Sequence, residues 1–222
     1  MWVIRLLSIL TFMSCMSAAL IAPFFPLLVK EKGVDMVYTG FVIGSNSICF
    51  IICSMCMSWL MRHFSRETLV VAGIFLQVIQ MVMLASLPLI ETGSTFLALS
   101  FLSQMASGVG SGLIVVSRVS LVLLYSKKED QAKNIGEIEM MTGLGFIMGP
   151  LFGSVTVWYG GFSFPFALVA VIYAILMPTI SVGLHRARTQ FAPEPEEAVI
   201  LEKPISISDL LCIKRYSFAL FT

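Results

Sequence analysis

A chain of 222 residues has the length of one or two soluble domains, yet 58% of it is hydrophobic and only 12% charged. Soluble domains carry about 25% charged residues, so the length is better counted in membrane spans of about 20 residues. With a net charge of +1 and no basic stripe, there is no case for nucleic acid as a partner.

Six apolar runs follow, each bounded by charged or turn residues. The first, residues 3–28, outlasts the apolar core of a signal peptide and is expected to remain as a span and an anchor. Pro23 and Pro26 each remove a backbone donor, which predicts a bent or loosened far end. Lys30-Glu31-Lys32-Gly33 connects to the second run, residues 37–61, where Gly40, Gly44, Ser45, Asn46 and Ser47 supply a small, polar side. The third, residues 68–87, is closed by Pro88 and the Glu91-Thr92-Gly93-Ser94 turn. The fourth is long, residues 95–125, and carries alternating Gly108, Gly110 and Gly112, which favour close packing or a looser helix.

The fifth run, residues 134–159, organises the chain. It holds Gly143, Gly145, Gly149, Pro150 and Gly153, residues that cost a water-soluble helix about 1 kcal/mol per glycine and about 3 for proline. In a membrane, small residues let helix backbones approach closely, and neighbours re-satisfy the carbonyl that proline frees. Trp158 and Tyr159 follow at the level of an interfacial aromatic belt. The sixth run covers residues 164–184. Residues 185–216 read as a polar linker with Pro193, Pro195, Pro204 and an acidic cluster at Glu194, Glu196 and Glu197. Residues 217–222 begin what is expected to be a seventh span, as in a fragment of a longer chain. The six-span bundle is thus placed at residues 1–184.

Orientation follows from lysine and arginine. A cytosolic N-terminus puts eleven of them on the cytosolic side, leaving only Lys30 and Lys32 outside and Arg118 within a span. That bias predicts a multi-pass membrane protein with its N-terminus in the cytosol.

Ionisable residues inside spans suggest function by default. Arg118 lies in the fourth span; Glu137 stands near the entrance of the fifth, and Glu139 deeper. At that depth Glu139 is either a carboxylate that exchanges protons or a structural ion pair that reaches toward the cytosol. Spans four and five form a hairpin centred near Lys128 and Glu129, and Arg118 and Glu139 lie about equally far from its centre. The two are therefore expected to pair. Gln104 and Asn46 either hydrogen-bond a solute from a cavity wall or bond a neighbouring helix. Cys53-x-x-Cys56 lies in an apolar span with no nearby histidine or second pair, so it reads as packing. No metal set, nucleophile–base pair or phosphate loop is apparent, and neither an enzyme nor a cofactor is expected.

The spacing Gly145-x-x-x-Gly149-Pro150-x-x-Gly153 resembles the fifth-helix antiporter motif of the major facilitator superfamily, with Ser154 where a second glycine is usual. Residues 135–145 resemble the matching span of vesicular-amine-transporter-like members, and of drug:proton antiporters more broadly. A glutamate stands four residues before the glycine run in the former, and that resemblance falls on Glu139. Residues 101–108 resemble the fourth-helix motif, but Gln104 replaces the arginine linked to proton coupling. The gate motif after span two is poorly kept: Arg66 is retained, and Arg62 stands where the acid belongs.

The resemblance implies an all-α membrane protein, the N-terminal six-helix half of a facilitator fold. It implies secondary transport of a small organic solute, in its narrower form an amine exchanged for protons. It also implies a second six-helix half, supplied in cis or by a homodimer. Spans one, two, four and five would line the path, with three and six facing lipid. The competing reading is a non-transporting bundle or truncated fragment that binds partner helices, and the degraded gate and missing arginine favour it.

Overall fold

The computed structural model describes residues 2–91 and 93–190. Six α-helices run through them: α1 (Trp2–Glu31), α2 (Val37–His63), α3 (Arg66–Ser86), α4 (Gly93–Tyr125), α5 (Gln131–Gly160) and α6 (Ser163–Gln190). A 3-10 turn, Leu87–Leu89, closes α3 around Pro88. All six are long and apolar enough to cross a membrane, the arrangement in which every backbone polar group is satisfied within its own segment. At 33 residues, α4 is about 50 Å long, well beyond the roughly 30 Å of a hydrocarbon core. It must tilt or project into the headgroups.

The pairing is crosswise between the first three helices and the last three. α1 packs along α5, α2 along α4, and α3 along both α4 and α6. Such a pattern suits a bundle made of two three-helix repeats. Its shared core includes Leu7, Leu10, Leu20, Phe25, Ile74, Phe96, Ile114, Leu121, Phe166 and Tyr173. At one end Lys32 Nζ donates to the Pro88 carbonyl at 2.8 Å, and Ser163 Oγ to the Ala85 carbonyl at 2.7 Å. Trp158 and Tyr159 are exposed, as an interfacial belt requires.

Glycine sets the helix spacing. A Cβ on Gly145 would lie 2.6 Å from the Phe12 carbonyl oxygen, and one on Gly149 would lie 2.7 Å from that of Met16. The i, i+4 pair on α5 thus rests directly on an i, i+4 pair of carbonyls on α1, the close approach that small residues permit. On α4 the alternation has a geometric reason. Gly108 abuts the Asn46 carbonyl of α2, and Gly112 lies against Cys53 of the same helix. Gly110, about 200° away around the helix, faces α3, where Gly73 lies over the Gly110 carbonyl. The alternating glycines therefore serve two close contacts on opposite faces.

Two boundaries differ from the sequence reading. α1 continues as one helix through Pro23 and Pro26 to Glu31. Phe25, Leu28 and Val29 are buried there, and that packing holds the turn that proline weakens. α6 runs to Gln190, six residues past the expected end at Leu184, because Leu184 and Ala187 remain buried among polar neighbours. The linker and seventh-span expectations over residues 191–222 lie outside the described residues.

Candidate functional site

The residues singled out from the sequence fall into two groups. The first joins α4, α5 and α1. Arg118 Nη2 stands 3.7 Å from Glu139 Oε1, and the two side chains differ sharply in exposure, 5% against 57%. Arg118 is seven residues from the end of α4 and Glu139 eight from the start of α5, so each lies about 10–12 Å along its helix. Glu139 is less shielded than its depth suggested, because α5 turns an uncovered side outward. Arg118 is nearly enclosed, and its Nε has no partner among the described residues. Beside it lies the Cys15 thiol, which Thr142 also approaches. Nearer the helix ends, Ser8 Oγ donates to Glu137 Oε1 at 3.3 Å.

The polar set on α1 was not visible in the sequence reading. Ser8 and Cys15 are seven residues apart and therefore on one face of α1, but only the packing of α1 on α5 gives them a role. Their spacing was the available signal, and it needs a known neighbour to be read.

The second group joins α2 and α4. Asn46 Nδ2 donates to both the side-chain and backbone oxygens of Gln104, each at 3.4 Å. Gln104 is buried, and its Nε2 has no partner among the described residues. These two residues hold helices together in this state while leaving one amide donor unused. The groups are separate: Gln104 and Arg118 are fourteen residues apart on α4, about 21 Å.

The antiporter-like residues are packing residues by position. Gly145 and Gly149 make the α1–α5 contact, and Gly153 abuts Phe24 and Leu20 of α1. Pro150 lies inside α5, and Ser154 Oγ donates back to its carbonyl at 2.8 Å. Cys53 is buried against α4, with Sγ 3.5 Å from the Val109 carbonyl, whereas Cys56 is exposed. No cluster that could hold a metal ion occurs among the described residues.

α2 and α5 are the least covered helices. In the most apolar window of α2 only 17% of residues are buried, and in α5 only 22%, against 56% in α4. Ile48, Ile52, Met55 and Trp59 share one exposed stripe on α2, as Leu144, Ile147, Leu151 and Val155 do on α5.

With six crosswise-paired helices and a glycine-keyed fifth helix, the fold is that expected from the sequence. The family model described as Major Facilitator Superfamily matches residues 7–221. The chain belongs to that superfamily. Among curated relatives, this facilitator chain is similar to the MFS-type transporter SLC18B1 of Mus musculus, 23% identical over 163 residues. The Homo sapiens protein of the same name is 24% identical over 165 residues. These matches cover 73% and 74% of the facilitator chain but only 35% and 36% of the relatives. The chain therefore aligns with about a third of each relative. It is an integral, multi-pass membrane protein with the helices of a half-facilitator fold.

Proposed function

We propose that this bundle forms one half of a secondary transporter for a small organic solute, with Glu139 as the coupling carboxylate and Arg118 as its counter-charge. The observation that carries the reading is the Arg118–Glu139 pair within the membrane-crossing part of a facilitator fold. Charges at such depth are costly unless paired, and in transporters they mark ion and substrate pathways. A buried arginine with one loose counter-charge, opposite a carboxylate that this half leaves exposed, is suited to exchange. A proton on Glu139 releases Arg118, and its loss restores the pair.

The solute in this reading is a small organic amine exchanged for protons, and the relatives, named as transporters, agree with transport in general. Alternating access needs two walls, so the uncovered faces of α2 and α5 are assigned to a second six-helix half, in cis or from a second copy. The N-terminus is assigned to the cytosol by the basic residues Arg5, Arg62, Arg66, Lys127, Lys128 and Lys133.

The test is uptake of a labelled amine into proteoliposomes with an acidic lumen, using the polypeptide together with whatever second half it purifies with. Wild type is expected to accumulate the amine only while the gradient lasts. Glu139→Gln is expected to lose gradient-driven accumulation while retaining exchange of amine for amine. Equal accumulation by both would remove Glu139 from coupling. A specific observation favours a second reading, a bundle that binds partner helices without transport: the apolar stripes on α2 and α5 are continuous. Absence of both accumulation and exchange in wild type that retains its partner would favour this reading.

A further inference from the structure

Away from the solute path, α3 and α6 flank an open cavity of about 270 Å³ at their basic ends. Ser181, His185 and Arg188 line it from α6; their i, i+4, i+7 spacing places all three on one face of that helix. Ser65, Thr68 and Val71 line it from the other side. The lining is graded. Arg188 and His185 stand toward the end of α6, hydroxyls come next, and Val71 leads to exposed Phe75 one turn deeper on α3.

Glu67 is the one carboxylate of the lining among the described residues. Its Oε1 accepts from Tyr125 at 3.0 Å, and both Arg66 and Arg188 lie close enough to act on that tyrosine. Glu67, held by Tyr125, thus shares the lining with the Arg188 guanidinium and the His185 imidazole, and Arg66 lies nearby outside the lining. Neither Arg188 nor His185 makes an ion pair among the described residues. Ser65 and Thr68 are joined through their hydroxyls at 2.7 Å, and each oxygen keeps capacity for a further hydrogen bond.

We propose that this cavity binds the phosphate of an anionic membrane phospholipid. Arg188 and His185 take the phosphate oxygens, and the hydroxyls of Thr68 and Ser181 bond the glycerol linkage. An acyl chain then lies along Val71 and Phe75. A free phosphate offers the same charge, but it has no use for the apolar exit, and that exit favours the lipid source. Basic pockets between membrane helices bind headgroups on these grounds. Glu67 stays with Tyr125 and sets the far wall of the pocket.

Native mass spectrometry of the full chain, released from detergent after mixing with dioleoyl phosphatidylglycerol or dioleoyl phosphatidylcholine, tests this. Wild type is expected to retain phosphatidylglycerol preferentially. Arg188→Gln should weaken that retention about tenfold, the loss expected for one charge-assisted hydrogen bond, and Arg188→Lys should recover part of it. Thr68→Val with Ser181→Ala should weaken it without any change of charge, which a diffuse electrostatic attraction would not produce. Inorganic phosphate in excess should leave the bound lipid in place. Equal retention of the two lipids, or an equal loss in Arg62→Gln, which lies outside the lining, would overturn the proposal. Full displacement by inorganic phosphate would overturn the lipid assignment.

Discussion

Gly143 and Gly145 are two residues apart on α5, yet an added Cβ meets nothing within 4 Å at the first and the Phe12 carbonyl at the second. The same substitution should therefore have opposite signs. Gly143→Ala gains helix propensity, up to about 1 kcal/mol. Gly145→Ala forces α1 and α5 apart and should cost about 1–3 kcal/mol, the usual range for overpacking. Thermal unfolding in detergent reads both, and equal melting temperatures would contradict the close seam. Composition makes the glycine-rich stretch conspicuous, but it does not say which glycines bear a neighbour. Gly145 and Gly149 matter because α1 lies there; Gly136 and Gly143 face open space.

Among whole elements, the hairpin of α4 and α5 was legible from the chain. Charged and turn residues between two apolar runs fix its centre, and equal distance from that centre brings Arg118 and Glu139 to matching depth. The pair predicts an asymmetry. Glu139→Gln leaves an enclosed guanidinium without its counter-charge and should destabilise by about 1–3 kcal/mol, moderated because the carboxylate is more than half exposed. Arg118→Leu replaces a buried charge with apolar volume and should be close to neutral. Chemical unfolding of the two variants measures the difference, and a greater loss for Arg118→Leu would mean that the guanidinium is held by more than Glu139.

The third member of that site escaped the sequence because α1 meets α5 across a long separation, with Ser8 and Glu137 differing by 129 positions. No local pattern encodes such a neighbour. The end of α6 was misread for a related reason. His185, Arg186 and Arg188 look like a departure from the membrane, while Leu184 and Ala187 still carry the buried side of the helix. α1 stays helical through its prolines to Glu31, past the expected end near Leu28, where Phe25, Leu28 and Val29 are buried.

Seen whole, the bundle is well packed inside, and α2 and α5 are its least buried helices. If α2 and α5 meet a second half, single cysteines placed at Met55 and Leu151, with the native cysteines removed, should cross-link to it in membranes. A cysteine at Val171 on α6, equally apolar and exposed, should not. Cross-linking equal at all three positions would mean unspecific crowding in the bilayer and no dedicated interface. The product mass separates a second copy from a different half.

α4 is keyed on opposite faces, to α2 through Gly108 and Gly112 and to α3 through Gly110. Sliding it lengthwise by a fraction of a turn would drive side chains into backbone on both sides at once. Rotating it would open one seam while jamming the other. This leaves shear between helices as the costly motion and tilting of the whole block as the cheap one. Like a keel bolted on both sides, α4 makes any large movement of this half one of angle, with its internal spacing carried along unchanged.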